Sequence, residues 1–270
     1  MKRILSEELE RAFRNPRFII VIALALASFF IGSYRSPVPS FSSNIALSPV
    51  NRLVSNLYYG DFGFLAALLA TLPFSDSFLD DLNQGFLRLI VQRVPYRKYL
   101  ASKILVVALA GGFSLLLAEL VIFLAGLTSP SDWNAMPHTA GGLFVSGEPK
   151  GLLGGLYSLN PLYYLLYLLA SAFGFGAVYA LMGLAISTLI HNRYVGLAAP
   201  LVFVQVLSFL EERALHLKPV LNPLNSLLPF NVNTFQGGFS LGNQLAQFGV
   251  VMVISILTFL ILAHKSRAAL

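Results

Sequence analysis

Residues 73–103 read PFSDSFLDDLNQGFLRLIVQRVPYRKYLASK, a dense run of charged residues between two long apolar runs. Acidic residues come first, Gly85 follows, and the second half is basic. Within residues 80–94, apolar side chains recur at the spacing of one helix face. They are Leu82, Phe86, Leu89 and Ile90. We therefore predict an amphipathic helix over residues 80–94, which Pro95 ends because proline disrupts a helix.

Two interpretations of this helix follow from its pattern. A helix that lies parallel to a membrane on its Lys- and Arg-rich side offers a surface that a cytosolic partner could bind. The same pattern also fits a connector that packs only on lipid headgroups. The segment by itself favours neither interpretation.

The composition is that of an integral membrane protein. Of the 270 residues, 56% are hydrophobic and 11% are charged, whereas a soluble domain carries about 25% charged residues. The apolar residues form continuous runs, which indicates helices rather than the alternating segments of a β-barrel. Cysteine is absent, so disulfides and thiol chemistry are excluded. The net charge of +6 does not indicate nucleic-acid binding, because the basic residues cluster beside the apolar runs.

The apolar runs predict an all-α membrane protein with six transmembrane helices in one domain that covers residues 1–270. The predicted spans are residues 18–34, 57–79, 100–127, 157–190, 194–210 and 244–263. Residues 1–16 are predicted to form an amphipathic helix in the membrane interface. Between the fifth and sixth spans, apolar pieces such as residues 220–228 are too short to cross the bilayer, so short extracellular helices are expected there.

The fourth apolar run carries local signals of its own. Asn160, followed by proline, is predicted to cap the helix that starts there. The run exceeds what a bilayer needs, and Gly174 and Gly176 are its predicted point of bending. Small residues that recur every four positions would let a neighbouring helix approach closely: Ala172, Gly176 and Ala180.

The distribution of Lys and Arg predicts the orientation. Six spans place both termini on one side, and that side carries thirteen of the 18 basic residues. The positive-inside rule then places both termini and residues 73–103 in the cytoplasm. The predicted location is the plasma (inner) membrane.

Few residues within the spans are suited to chemistry. The sequence contains no GxxxxGK[ST] loop and no HExxH motif, and its four histidines are scattered. No catalytic residue and no metal site is therefore predicted. Glu119 lies well inside the third span and Gln205 inside the fifth, and we predict that they line a substrate path. Two alternatives for Glu119 are a hydrogen bond that holds a neighbouring helix and a carboxylate solvated in a polar vestibule.

The layout resembles the permease subunits of type-2 ATP-binding cassette (ABC) transporters over essentially the full length. In that family, an acidic residue, Gly and Leu precede Pro, a basic residue and the Lys that opens the third span. The matching positions here are Asp80, Asp81, Gly85, Leu87, Pro95, Arg97, Lys98, Tyr99 and Lys103.

The resemblance implies that residues 80–94 form a coupling helix that docks on a separate cytosolic ABC ATPase dimer. The implied contact residues are Asp80, Asp81, Leu82, Gly85, Phe86, Arg88 and Leu89. ATP and Mg²⁺ would be bound by that ATPase, and no cofactor by this chain. A second permease subunit, identical or homologous, and membrane lipid are the other expected partners, and nucleic acid is not.

The implied function is ATP-driven export of an amphipathic, lipidic or peptide substrate. One alternative is an ABC-type module that senses an antimicrobial peptide or confers immunity to it. Another, of a different class, is a membrane-embedded enzyme or a structural anchor.

Overall fold

The computed structural model describes residues 2–36, 48–129, 132–133, 144–145, 148–149, 152–210, 222–231 and 239–268. The elements in chain order are α1 (Lys2–Phe13), α2 (Arg17–Arg35), α3 (Pro49–Tyr59), α4 (Phe62–Thr71), α5 (Ser77–Asn83), α6 (Phe86–Arg93), α7 (Tyr96–Gly126), β1 (Phe144–Val145), β2 (Glu148–Pro149), α8 (Gly155–Leu159), α9 (Pro161–Ile190), α10 (Arg193–Phe209), α11 (Pro223–Leu227), a 3₁₀ turn (Pro229–Asn231) and α12 (Leu241–Ala268). The two strands, of two residues each, form one antiparallel pair. The other regular elements in the described residues are helices.

The predicted all-helical class is confirmed, and some of the helices are candidates for membrane spans. Within the described residues, α2, α7, α9 and α12 are long and apolar enough to cross a membrane. The bent pair α3–α4 raises the number of candidate spans to five if it is counted as one span. The remaining predicted span corresponds to α10, an apolar helix of 17 residues that is shorter than the others. The predicted number of six spans is therefore not confirmed.

The prediction of one continuous second span over residues 57–79 is wrong. The chain bends by 85° between α3 and α4, and Asp61 takes a left-handed conformation with φ of 51° at the bend. Gly60 precedes it and packs directly against the backbone of Ser28 in α2. The apolar run begins only at residue 57, so the pattern showed neither that α3 starts at Pro49 nor that the chain bends after Tyr59.

The prediction of one continuous helix over residues 80–94 is also wrong. The segment forms two helices, α5 and α6, separated by Gln84 and Gly85. Gly85 has a φ of +73°, and a residue in the left-handed region ends an α-helix. The apolar spacing predicts a single helix because apolar residues recur at helical spacing on both sides of Gly85.

The third and fourth spans differ from prediction mainly at their starts. Helix α7 begins at Tyr96, immediately after Pro95, rather than at residue 100. The predicted cap is confirmed, since the Asn160 side chain accepts a hydrogen bond of 2.9 Å from the Leu162 N–H. The helix that starts there, α9, is therefore separate from α8 and does not begin at residue 157.

Helices α7 and α9 form the centre of the fold, and small residues let them approach each other. Helix α9 continues without interruption through Gly174 and Gly176. Gly176 lies directly against the carbonyl of Gly111 in α7, and Ala180 lies beside the same glycine. The predicted close approach of a neighbouring helix is thus confirmed, and α7 is that neighbour.

Several contacts gather distant parts of the chain at one end of the bundle. Asn15 donates a hydrogen bond of 2.7 Å to the carbonyl of Pro73. The Tyr96 hydroxyl donates one of 2.7 Å to the carbonyl of Ala263 near the end of α12. Arg193, at the start of α10, lies 3.8 Å from Asp76. We call this end, where α1, α5 and the start of α7 meet, the network end.

Candidate functional site: a buried ion network beside an exposed turn

Five side chains from three helices meet at the network end, and we call them the ion network. Glu8 and Arg11 lie three residues apart on α1, so they share one helix face. Tyr99 and Lys103 lie four residues apart on α7 and share a face for the same reason. Asp81 on the short helix α5 lies between these two pairs.

Short polar contacts connect all five side chains. The Lys103 Nζ lies 2.7 Å from Asp81 Oδ2 and 2.7 Å from Glu8 Oε2. The Arg11 guanidinium donates a hydrogen bond of 2.6 Å to Asp81 Oδ1, and the Tyr99 hydroxyl donates one of 2.6 Å to Asp81 Oδ2. Asp81 thus holds α1 and α7 at the same time.

Four of the five network side chains are buried, the Arg11 side chain is 42% exposed, and the charges of the network balance. Lys103 and Asp81 are 0% exposed, and Glu8 is 7% exposed. Two cations face two carboxylates, which matters because a buried ion is tolerated only when it is paired and hydrogen-bonded. The Lys103 ammonium also lies 5.1 Å from the centre of the Phe74 ring, within the range of a cation–π contact.

The network sets the protonation of Asp81. Burial by itself raises the pKa of this carboxyl, but Lys103, Tyr99 and Arg11 together outweigh burial and lower the pKa below its ordinary value. The neighbouring Asp80 behaves differently. Burial and the charge of Asp76 raise the pKa of Asp80, although nearby arginines offset part of this effect.

A second ion pair extends the site toward α2 and α10. The Arg17 guanidinium donates a hydrogen bond of 2.7 Å to Asp76 Oδ1 and one of 3.2 Å to the carbonyl of Leu72. Asp76 is 2% exposed. The start of α2 is therefore fixed to the turn that precedes α5.

The structure separates the predicted ATPase contacts into inward and outward residues. Asp81 is buried in the network, and Leu82 is half-buried and packs on the apolar core beside it. Asp80 is half-buried, whereas Gly85 is exposed and Phe86 is 49% exposed. The backbone of Arg88 and Leu89 lies in α6, and their side chains fall outside the described part of the chain. The exposed turn, residues 83–86, is therefore the outward part.

A cavity of about 270 Å³ lies between α1 and α6, next to the exposed turn. Ile4, Phe86, Ile90 and Val94 give it an apolar wall, and the network members Glu8 and Tyr99 also line it. Its volume falls just below the range of about 300–1,000 Å³ that is typical of small-molecule pockets. A side chain that enters this cavity would contact Glu8 and Tyr99 of the ion network.

Glu119 and Gln205, the predicted substrate-path residues, lie on separate helices that both pack against α9. Glu119 is 0% exposed, so the alternative of a solvated carboxylate is wrong. Neither of its carboxylate oxygens has a hydrogen-bond partner in the described part of the chain. Gln205 is half-buried, and its Nε2 likewise has no partner among the described residues.

Sequence reasoning missed that the charged residues near the ends of the helices pair with each other. Lys103 was read as the opening of the third span, although a Lys inside an apolar helix normally requires a partner. The sequence pattern predicted no role for Glu8 or Arg11. The available signal was the presence of charged residues next to the first and third apolar runs. The sequence pattern did not indicate which of these charges would pair.

Across the residues that the structure describes, no cluster of three or more His, Cys, Asp or Glu side chains could hold a metal ion. Comparisons with protein-family models, with curated proteins and with solved structures find no match to this chain. The site and the helical membrane fold are therefore the basis of any functional assignment.

Proposed function

We propose that the chain is the permease subunit of an ATP-driven exporter, and that a separate cytosolic ABC ATPase binds ATP and Mg²⁺ and docks on the exposed turn. One observation carries the proposal: the turn at Gly85 and Phe86 is attached through Asp81 to both α1 and α7. An apolar side chain on a turn that is fixed to a long helix is a suitable point for a partner to apply force.

The proposed mechanism uses the ion network as a mechanical connection. Removing one partner from a buried ion pair costs about 3–5 kcal/mol, so α5 moves together with α1 and α7. Helix α7 has 31 residues, which corresponds to about 46 Å, and it packs along α9. Movement at the turn therefore reaches the opposite end of the bundle. Coupling also requires that the ATPase bind two states of the permease with different affinity.

The proposed permease spans the membrane six times. The six spans would comprise α2, the bent pair α3–α4, α7, α9, α10 and α12. The network end would face the cytoplasm of the plasma (inner) membrane, because the basic residues concentrate there. A second permease subunit would complete the transporter. The apolar walls favour an amphipathic, lipidic or peptide substrate.

The test compares Phe86→Asp with Leu159→Asp in the full chain. Phe86 is 49% exposed at the network end. Leu159 is 76% exposed and is the last residue of α8, at the opposite end of the bundle. Each tagged variant is purified in mild detergent from its own host after labelling the membranes with 8-azido-ATP. We expect a labelled ATPase to co-purify with the unmodified chain and with Leu159→Asp, and to be lost with Phe86→Asp.

The result that would overturn the proposal is equally specific. If the azido-ATP label is absent from every preparation, or if Phe86→Asp retains it in full, the exposed turn is not an ATPase contact. Matching yields of the two variants in the membrane fraction show that loss of the label does not reflect failed insertion.

A further inference from the structure

A long apolar groove runs along the side of the bundle where α10 and α12 flank α9. Both helices pack on α9, whereas they make few contacts with each other in the described part of the chain. One cavity of about 830 Å³ lies along α9 and α10 and includes Met182, Tyr194 and Val202 in its wall. A second, of about 280 Å³, continues toward α12 and shares Phe203 and Leu207 with the first. We call the two together the lateral groove.

The lateral groove matches a lipid chain in length and chemistry. The wall of the larger cavity along α10 extends from Tyr194 to Leu207, which corresponds to about 20 Å of helix. The hydrocarbon thickness of one leaflet is about 15 Å. The ten residues that line this cavity are all apolar or aromatic. An extended acyl chain therefore fits along it. Among the described residues, the amide side chains of Asn243 and Gln247 line only the smaller cavity.

A cation lies at one end of the lateral groove. The Arg193 guanidinium lies 5.5 Å from the centre of the Tyr194 ring, and Tyr194 lines the groove. Arg193 is 46% exposed, and its distance of 3.8 Å to Asp76 is too long for a hydrogen bond. Asp76 already accepts a hydrogen bond of 2.7 Å from Arg17. The Arg193 Nε faces Asp76, and the exposed part of the guanidinium has further N–H donors that can bind an anion.

We propose that the lateral groove holds an acyl chain of an anionic phospholipid, and that Arg193 binds the phosphate of that lipid. The apolar wall accommodates the acyl chain, and a basic residue near the membrane surface contributes about 1 kcal/mol of attraction to an anionic headgroup. The proposal requires only that the chain spans a membrane. It does not depend on the proposed ATPase partner.

A second copy of the chain fits the groove less well than a lipid does. A two-fold interface pairs the same surface patch with itself. An interface centred on the groove would therefore place one concave surface against another and leave the space between them unfilled. An acyl chain fills the same space without a complementary ridge.

The test measures quenching of a single tryptophan by brominated lipids. Trp133 is the only tryptophan in the chain, and Trp133→Phe provides the background. Val202→Trp places the reporter in the groove, where Val202 is 53% exposed, and Val253→Trp places the control on α12, where Val253 is 51% exposed. The full chain is reconstituted in vesicles of brominated phosphatidylglycerol or brominated phosphatidylcholine.

We expect the reporter at position 202 to prefer phosphatidylglycerol by about five-fold, the size of one basic contact with an anionic lipid. Arg193→Gln should make quenching by the two lipids about equal at position 202. At position 253 the two lipids should quench about equally in every variant. If Val202→Trp does not fold, Val206→Trp takes its place, because Val206 lines the same cavity.

Three results would overturn the proposal. Equal quenching by both lipids at position 202 would show that no anionic lipid is selected. A preference that survives Arg193→Gln would remove Arg193 from the site. Weak quenching by both lipids that rises as the protein is diluted in lipid would show that a second copy covers the groove.

Discussion

Lys103 is a fully buried ammonium whose two carboxylate partners come from two other helices. We expect Lys103→Met to destabilise the chain by about 3–5 kcal/mol, because it leaves Asp81 and Glu8 buried without this cation. Methionine is of similar length, so little packing is lost with the charge. The shift in the unfolding midpoint in detergent measures the effect.

An exposed ion pair on α1 is the matched control for Lys103. The Arg14 and Glu10 side chains are 81% and 56% exposed, and exposed pairs contribute about 0–1 kcal/mol. Arg14→Met should therefore change the midpoint very little. Adding Asp81→Asn to Lys103→Met should restore part of the lost stability, since the two groups interact directly. Fully additive losses would show that the network does not act as a unit.

The pKa of Asp81 predicts the acid side of the stability profile. Because the network lowers this pKa in the folded chain, the ionised carboxylate stabilises the fold. That contribution is complete above the ordinary value of 3.8 and is lost as the pH falls below it toward the folded value. We expect the unfolding midpoint of Asp81→Asn to change less steeply than that of the unmodified chain as the pH falls below about 4. Identical slopes in this window would contradict the assignment.

At the scale of elements, Gly85 decides that α5 and α6 are separate helices. Its φ is +73°, and an added Cβ would meet no atom within 4 Å. Gly85→Ala should therefore destabilise the turn by about 1–2 kcal/mol through backbone strain alone. In the proposed transporter the same variant should also weaken retention of the azido-ATP-labelled ATPase.

Gly249 is the matched control, since an added Cβ there also meets nothing within 4 Å but the backbone is helical. Gly249→Ala should keep or slightly raise the unfolding midpoint, because Ala favours a helix by about 1 kcal/mol over Gly. A decrease of equal size in both variants would argue against a special conformation at Gly85.

The contact between α7 and α9 depends on two glycines, Gly111 and Gly176. An added Cβ on Gly111 would lie 2.6 Å from the carbonyl oxygen of Gly176, and backbone atoms cannot move aside as a side chain can. Gly111→Ala should separate the two helices and destabilise the fold by about 1–3 kcal/mol. Cross-linking efficiency between cysteines placed on α7 and α9 reports the separation independently of stability. Unchanged cross-linking would contradict the close contact.

At the scale of the whole molecule, the ends of the bundle are chemically different, and this predicts its orientation. The chain has no cysteine, so single cysteines at Gln84 and Leu159 report on the two ends. In the proposed orientation, a membrane-impermeant maleimide labels Leu159→Cys in intact cells and Gln84→Cys only after permeabilisation. The reverse pattern would place the exposed turn outside the cell and exclude a cytosolic ATPase as its partner.

The sequence predicted the all-helical class, the amphipathic helix α1, the cap at Asn160 and the small-residue face of α9. These features are local or periodic, so neighbouring residues in the chain are enough to define them. The same reasoning failed at Gly60 and Gly85, where the backbone changes direction inside a segment that was predicted to be one continuous helix. Periodicity reports which residues share a face and does not report where the chain turns.

By itself, then, the sequence determined that this chain must bury its apolar runs in a membrane, because 56% of its residues are hydrophobic and a backbone in lipid has to satisfy its own hydrogen bonds. Only the tertiary structure decided which charges meet. Glu8, Asp81 and Lys103 are separated by as many as 95 positions along the chain, and their pairing depends on how three helices converge at one end. That pairing makes Asp81 a buried connector and leaves Phe86 at the surface.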